Sequence, residues 1–198
     1  MSNLNNHINT SNTSRIKEEA VLIGLNKPKG VICTHKDEKN RIKIYDLIPK
    51  NIYKNIKGNL HSVGRLDFNS QGLILITNNT KIKSYLESPS SKIIRIYKVK
   101  VQGILQKHIV NKAKDGLKIG NKKFSIVTIE ILKKTNNYTW LLVKLDQGKN
   151  QHIRKIFKKL GYTVNKLIRI QYGPYKLSSL ETRKIKLFNL RKIKYINL

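Results

Sequence analysis

One carboxylate stands between two glycines in the stretch at residues 61–77, which reads HSVGRLDFNSQGLILIT. Asp67 lies in the polar part of this stretch, between Gly64 and Gly72. Glycine permits a tight turn of the backbone or its close approach to a ligand. A carboxylate can serve as a nucleophile or as a general base. Arg65 and a strongly cationic chain would place it in a positive field. The alternative is that Asp67 caps a turn or pairs with Arg65 in a surface loop, because aspartate is a favoured turn residue.

The residues that follow the loop predict a rigid support for it. The segment at 73–76 is a continuous apolar run with β-branched residues, which is typical of a strand buried on both faces. Such a strand would hold a functional loop in place.

A second candidate lies on the segment at 93–101, where alternation predicts a strand. Tyr97 would face the core there, while Lys98 and Lys100 would share the opposite face. Without further information, a core tyrosine with a partner for its hydroxyl group explains the pattern equally well.

A basic helix is predicted at 152–160, closed by Gly161 as a C-terminal cap. Its apolar positions form one stripe, at Ile153, Ile156, Phe157 and Leu160. Arg154 lies near its start, and the helix lysines at 155, 158 and 159 are explained as a solvated face. The remaining pattern predicts helices at 44–48, 80–87 and 105–113, and strands at 20–25, 124–132, 138–145, 163–171 and 184–190. In the turn at 26–30, we expect Lys27 and Lys29 to face outward toward phosphate.

The composition favours a polyanionic partner. Lysine and arginine number 41 against 11 acidic residues, for a formal net charge of +30. This charge would bind RNA backbones through counterion release, even if some of it reflects an AT-rich genome. An anionic membrane is the competing partner, but no apolar stretch approaches the ~20 residues that a membrane helix needs.

Cysteine and histidine usage predicts neither a disulfide nor a metal site. Cys33 is the single cysteine, and its apolar surroundings predict a small buried side chain. The histidines show no ligand spacing with acidic companions. Residues 1–18 are polar and lack the apolar core of a secretory signal, so we expect a disordered tail, with an organellar targeting segment as the alternative.

Four blocks of the chain, in order, carry a family resemblance. The residues at 64–78, GRLDFNSQGLILITN, resemble the active-site motif of the ribosomal RNA pseudouridine synthases related to RsuA, RluB and RluE. The other blocks are NKPKGV at 26–31, RIYKVKVQG at 95–103, and QGKNQHIRKIF at 147–157 with its continuation at 160–173. Departures from the family pattern include Ser70, Gln71, Gln147, Lys149 and Gln151, where the family has threonine, glutamate, glutamate, arginine and arginine.

The resemblance implies a fold and an activity. The fold is an α+β catalytic domain at 19–198, with a mixed, largely antiparallel sheet, flanking helices and no S4-type RNA-binding domain in front. The activity is the isomerisation of one uridine of large-subunit, 23S-type ribosomal RNA to pseudouridine by base flipping, without a cofactor or a metal. The protein would be a cytoplasmic monomer, or an organellar one if the tail is a targeting segment, with ribosomal RNA as its partner.

The resemblance also assigns roles to four residues. Asp67 is the nucleophile or base, and Arg65 fills the gap that the flipped base leaves. Tyr97 stacks on the uracil, and Arg154 pairs with Asp67 to fix the carboxylate's orientation. One alternative is a non-catalytic RNA-binding or ribosome-assembly protein on the same fold. Another is a methyltransferase, which the lack of a glycine-rich cofactor loop disfavours.

Overall fold

A nine-stranded mixed sheet forms the centre of the computed structural model, which describes residues 19–193. The described residues form eleven strands, of which β5 and β6 make a separate hairpin and the other nine make this sheet. They are β1 (Leu22–Lys27), β2 (His61–Val63), β3 (Gln71–Thr77), β4 (Arg95–Gln102), β5 (Leu117–Ile119), β6 (Lys122–Phe124), β7 (Thr128–Lys134), β8 (Tyr138–Leu145), β9 (Val164–Tyr172), β10 (Tyr175–Lys176) and β11 (Ile185–Leu187). The helices are α1 (Lys50–Lys54), α2 (Thr80–Glu87), α3 (Lys107–Asp115) and α4 (His152–Lys159), and 3₁₀ turns lie at Ile44–Leu47, Pro89–Ser91 and Leu190–Lys192. The predicted tail at 1–18 lies outside the described residues.

The strand order across the sheet is β11-β1-β3-β9-β4-β8-β7, with β2 beside β3 and β10 beside β9. The pair β3–β9 is parallel, through Gln71↔Ile168 and Gly72↔Arg169. The other strand pairs of this sheet are antiparallel. The predicted α+β class, with a mixed and largely antiparallel sheet, is therefore confirmed.

The strand after the Asp67 loop is buried on both faces, as predicted. Ile74 and Ile76 of β3 belong to one core cluster, and Leu73 and Leu75 belong to a second cluster with α2. This double burial makes β3 the most constrained strand beside the loop, because shifting its register would expose apolar groups.

Strands β8 and β4 are buried on one face only. Along β8, residues 139, 141, 143 and 145 are buried while the residues between them are half-exposed. Along β4, Tyr97, Val99 and Val101 are buried, while Lys98 lies on the open face as predicted. The apolar stripe of α4 packs in the same cluster as these buried residues.

Helix ends follow local chemistry. Asn79 caps α2 by accepting a hydrogen bond from the backbone N–H of Ile82 at 3.0 Å, and Pro89 follows the last turn. Gly161 ends α4 with a positive φ of 83°, and the N–H of Tyr162 returns to the carbonyl of Phe157 at 2.8 Å. These are the predicted termini.

Three segments differ from the predictions. The predicted strand at 124–132 is divided, because Phe124 ends a small hairpin of β5 and β6 before β7 begins at Thr128. The stretch after Pro49, for which the sequence pattern predicted no helix or strand, contains the short helix α1. The predicted strand at 184–190 shortens to β11, and a 3₁₀ turn follows it. Across residues 19–193, the helices are all too short or too polar to cross a bilayer.

Candidate active-site cleft

A cleft of about 640 Å³ opens where the Asp67 loop meets β4, β8 and β9. Three of the four predicted site residues, Arg65, Asp67 and Tyr97, line it together. The other charged groups in its wall are mainly basic: Lys83, Arg95, Lys149 and Arg169, against Glu87. Within residues 19–193, Asp67 forms no ion pair and lies at a cleft whose charged groups are mainly basic, in line with the positive field expected from the sequence.

The backbone of the Asp67 loop is anchored at five successive carbonyl groups. Those of Leu66 and Phe68 accept from the Cys33 thiol at 3.5 Å and from the Gly30 N–H at 2.9 Å. The carbonyls of residues 67 and 70 both accept from the Lys27 ammonium group, and that of residue 69 accepts from Arg154. These bonds hold the backbone that carries Asp67 in one place, and a positioned backbone is one part of the preorganisation that catalysis requires.

Lys27 is fully buried, so the prediction that it faces outward is wrong. Its Nζ donates to the carbonyls of Pro28 at 3.0 Å, Asp67 at 3.2 Å and Ser70 at 2.9 Å. Burial lowers the pKa of Lys27 to about 8. The sequence did carry the signal, since Lys27 alternates with Ile23 and Leu25 on β1 and so shares their inward face.

Two glycines shape the ends of the loop. Gly64 has a φ of +66°, and its N–H donates to a carboxylate oxygen of Glu87 at 2.6 Å. The other oxygen of Glu87 pairs with Lys83 at 2.7 Å. At the far end, Gly72 has a φ of +101°, and a Cβ added to it would lie 2.3 Å from the carbonyl oxygen of Arg169. Both glycines therefore have the conformational role that the sequence predicted.

Tyr97 lies across the cleft with a buried ring, 7% exposed. Its partner in register on β9 is Arg169, a residue that the sequence analysis did not single out. Arg169 is only 2% exposed, and its Nε donates to the carbonyl of Leu73 at 2.7 Å. Its Nη2 has no hydrogen-bond partner within the described part of the chain. Because a buried donor without a partner is costly, this group is suited to bind an acceptor that enters the cleft.

Arg95 is a second buried arginine of the cleft wall, and both of its Nη groups form hydrogen bonds. Its Nη1 donates to the carbonyls of Ile93 and Asp146, and its Nη2 donates to the carbonyl of Leu86 and the hydroxyl of Tyr172. These contacts tie the start of β4 to α2, β8 and β9. Arg95 thus supports the wall, whereas the Nη2 group of Arg169 has no partner among residues 19–193.

Arg154, the fourth predicted site residue, does not line the cleft, and the predicted Arg154–Asp67 pair is not formed. The ion pairs within residues 19–193 are Asp37–Arg41, Asp46–Lys43 and Glu87–Lys83. Arg154 instead donates through Nη1 to the carbonyl of Val164 at 2.8 Å and through Nη2 to that of Asn69 at 3.3 Å. The Val164 carbonyl draws the guanidinium toward the start of β9, so Arg154 contacts the backbone of the loop rather than the carboxylate.

His152 lines the cleft at the first turn of α4 and was not singled out by the sequence analysis. Burial lowers its pKa, and its Nε2 lies 2.8 Å from the carbonyl of Ser125. A neutral ring that donates to this carbonyl leaves Nδ1 as an acceptor. No partner for Nδ1 lies among residues 19–193.

Cys33 is a free thiol that contacts the loop. It was predicted to be buried, and the structure shows it half-buried. Burial raises its pKa. Within residues 19–193, the histidine, cysteine and acidic side chains form no group of three that could hold a metal ion.

Comparisons with known proteins agree with this geometry. The family described as RNA pseudouridylate synthase matches residues 21–159. An uncharacterized RNA pseudouridine synthase of Rickettsia bellii is 39% identical over 78% of the chain, and the ribosomal large subunit pseudouridine synthase B of Buchnera aphidicola subsp. Acyrthosiphon pisum is 41% identical over 77%. The chain covers 65% and 60% of these relatives, and so spans less than two thirds of their length.

Structural comparison gives the same fold. A crystal structure of a pseudouridylate synthase superposes with a TM-score of 0.74 and 23% identity, covering 89% of this chain and 73% of that one. The family match includes the Asp67 loop, β4 with Tyr97, and α4 up to its last residue. The chain therefore belongs to the RNA pseudouridylate synthase family.

Proposed function

We propose that this protein isomerises a specific uridine of ribosomal RNA to pseudouridine, with Asp67 as the catalytic carboxylate. The observation that carries the proposal is the Asp67 loop, whose five bonded carbonyls hold the backbone of an acidic residue at a mainly basic cleft that Tyr97 also lines. Such a site suits a reaction that needs one positioned carboxylate. The catalytic unit would extend over residues 19–198.

The reaction itself constrains the site. Uridine becomes pseudouridine when the bond between N1 and the ribose breaks, the uracil turns, and C5 forms the new bond to the sugar. The proton leaves C5 and N1 ends protonated, so the reaction involves no net oxidation and loses no atom. A carboxylate can act either by attacking as a nucleophile or by removing a ribose proton as a base. Asp67 serves in both routes.

The target nucleotide has to leave its helix to reach Asp67, at a cost of roughly a few kcal/mol for unstacking. Arg65 is exposed at the mouth of the cleft, where it would occupy the gap that the base leaves. Tyr97 would stack on the extruded uracil and assist removal of the proton from C5. Arg154 would hold the loop through Asn69 in place of pairing with the carboxylate. A cleft of about 640 Å³ falls within the range usual for sites that enclose a small ligand.

The names of the relatives favour large-subunit ribosomal RNA as the substrate. The Buchnera protein is named as a ribosomal large subunit pseudouridine synthase B. The segment at 43–49, KIYDLIP, favours the same branch. A monomer acting in the cytoplasm stays the expected state of the protein.

The experiment is pseudouridine mapping of ribosomal RNA by carbodiimide labelling and primer extension. Cells lacking the gene are complemented with the wild type, with Asp67→Asn, or with Asp115→Asn, which alters an exposed acid at the end of α3 as a matched control. We expect one site to vanish in the deletion and with Asp67→Asn, and to return with Asp115→Asn. In vitro, Asp67→Asn should lower the rate on the order of 10⁴-fold or more.

If every pseudouridine persists in the deletion strain, the catalytic proposal is wrong. The protein would then be an RNA-binding or ribosome-assembly protein on the same fold. In that case Asp67→Asn should leave RNA affinity unchanged.

A further inference from the structure

The sheet has a second functional-looking surface, on the face that points away from the Asp67 cleft. Tyr97 of β4 lines the cleft, so its neighbours Lys98 and Lys100 lie on the other side of the sheet. Leu145 of β8 and Leu167 of β9 also line the cleft, and the residues that alternate with them lie on that other side too. We call this surface the reverse face. Its defining residues are Lys98, Lys100, Tyr138, Trp140, Lys144 and Lys166.

Lysines and aromatic rings are interleaved on the reverse face. Lys100 pairs in register with Trp140 on one side and with Lys166 on the other. The ammonium group of Lys98 lies 5.1 Å from the centroid of the Trp140 ring, and that of Lys100 lies 3.8 Å from the centroid of the Tyr138 ring. These cation–π contacts hold two positive charges beside two rings on adjacent strands.

The charge of this surface is not balanced from within the fold. The ion pairs of residues 19–193 join Asp37, Asp46 and Glu87 to other cations, and none includes a lysine of the reverse face. On the neighbouring strand β7, the one acid in register with this face is Glu130, opposite Leu142, and Lys133 opposite Trp140 offsets it. An excess of four lysines therefore faces solvent, and their counter-charge must come from a partner or from ions.

The rings on this face are not part of the core. Tyr138, Trp140 and Leu142 are half-exposed, and they belong neither to the two buried clusters of the described residues nor to the side chains packed against them. Trp140 is also the single tryptophan of the chain. A half-exposed tryptophan between lysines offers a large apolar ring for stacking, and the lysines beside it attract anions.

We propose that the reverse face binds an unpaired RNA strand, separate from the nucleotide in the cleft. Lysines would contact the phosphates, and bases would stack on Trp140 and Tyr138, which is how proteins hold single strands without reading sequence. The sheet lies between the two surfaces, so a duplex docked at the cleft does not reach the reverse face. The bound strand is thus a more distant segment of the same RNA. This inference rests on the proposed function only in taking RNA as the partner.

An anionic lipid surface could also contact these lysines. Insertion into a bilayer would in addition need exposed apolar side chains on the reverse face. None of the exposed large apolar side chains of the described residues is a defining residue of the reverse face, although two of them lie on the neighbouring strand β7. They are Leu187, Ile104, Ile42, Val127, Tyr53 and Phe68, and on β7 Leu132 and Ile131. The rings of the reverse face are instead half-buried among lysines, where a base can stack and a bilayer gains little contact.

The lone tryptophan tests the proposal directly, because its emission reports on the reverse face alone. The full-length protein is titrated with a short oligouridylate at several salt concentrations, with tryptophan excited selectively. We expect Trp140 emission to be quenched, with a Kd that rises steeply with salt. Lys98→Glu/Lys100→Glu should raise the Kd at least about tenfold. The slope of log K against log salt concentration should fall in magnitude by about two, the contribution expected from two phosphate contacts.

Lys107→Glu/Lys112→Glu is the charge-matched control, because both lysines are exposed on α3 and lie outside the cleft and the reverse face. It should retain most of the quenching and of the affinity. If both double variants weaken binding equally, net charge rather than the reverse face explains the effect and the proposal is overturned. If Lys98→Glu/Lys100→Glu lowers the thermal midpoint, Lys98→Gln/Lys100→Gln is used instead and should also raise the Kd.

Further outcomes separate the reverse face from the cleft and from lipid. Quenching that is lost in Arg65→Ala but kept in Lys98→Glu/Lys100→Glu would place the RNA in the cleft and overturn the proposal. So would a blue shift of Trp140 with phosphatidylglycerol vesicles and no response to RNA. Asp67→Asn should be quenched like the wild type, so a failure of the catalytic proposal leaves this result intact and the two failures are distinguishable.

Discussion

Lys27 is a cation buried beneath the Asp67 loop, and its donors match what surrounds it. A protonated amine has three N–H groups, and Lys27 meets three carbonyls, those of Pro28, Asp67 and Ser70. Two of these carbonyls belong to Asp67 itself and to Ser70, the last residue of its loop. The ammonium form therefore completes the anchoring of the loop, at the cost of burying a charge without a carboxylate partner.

Lys27→Met removes both the donor to the loop carbonyls and the buried positive charge. The loop carbonyls lose their donor, so we expect the unfolding free energy at neutral pH to fall by about 1–3 kcal/mol and pseudouridine formation to fall at least about tenfold. Lys29→Met changes the exposed neighbour and should leave both unchanged. Urea unfolding and single-turnover assays measure the two quantities. Full activity in Lys27→Met would show that the loop does not need this anchor.

The pH dependence of the wild type follows from the same residue, with opposite signs for stability and activity. The pKa of Lys27 is about 8 in the folded protein, against 10.5 for an ordinary lysine. Between these values the unfolded chain holds a proton that the folded chain has released, so Lys27 makes the unfolding free energy rise with pH. The neutral amine has only two donors, so activity should fall above about pH 8. Both trends should be absent in Lys27→Met.

At the scale of the elements, the cleft depends on the short parallel contact between β3 and β9. Gly72 is one of its two registered positions, and a Cβ there would meet the carbonyl oxygen of Arg169 at 2.3 Å and its nitrogen at 2.8 Å. These are backbone atoms, which cannot turn aside. The closeness of the two strands places Arg169 beside the residues that follow the Asp67 loop.

Gly72→Ala should push the two strands apart. We expect a loss of at least about 3 kcal/mol in unfolding free energy, from the contact with backbone and the positive φ together. Gly120→Ala is the matched control, because Gly120 also has a positive φ, of 58°, but nothing lies within 4 Å of its added Cβ. The control should cost only about 1–2 kcal/mol. Equal losses in urea unfolding would refute the role of close approach at Gly72.

Elements with strong local signals could be predicted from the sequence, and contacts between distant segments could not. The bounds of α2 agree with the prediction because Asn79 and Pro89 mark its ends, and Tyr97 faces inward because alternation fixes its side of the strand. The Arg154–Asp67 pair was wrong because periodicity places Arg154 on a helix without showing which acceptor it reaches. Arg169 was missed because its free Nη2 depends on β3 lying beside β9 across nearly a hundred residues of chain.

At the scale of the whole molecule, the charge of +30 acts on a fold with little compensation. The ion pairs within residues 19–193 join residues only three or four positions apart, so they do not link one element of the fold to another. Exposed pairs of this kind contribute about 0–1 kcal/mol each. Long-range electrostatics in the folded protein is therefore dominated by repulsion among lysines, which an RNA partner would relieve.

Added salt should accordingly stabilise the free protein while it weakens RNA binding. Screening shortens the range of the repulsion, to about 10 Å at 0.1 M salt, so we expect the thermal midpoint to rise between low and moderate sodium chloride. Over a range of about 50–200 mM the affinity for RNA should fall by orders of magnitude, because each counterion released into a more concentrated salt solution gains less entropy. Circular dichroism melts and the Trp140 titration measure the two trends in the same buffers. A midpoint that falls as salt increases would mean that attractive pairs, rather than repulsion, govern the folded state.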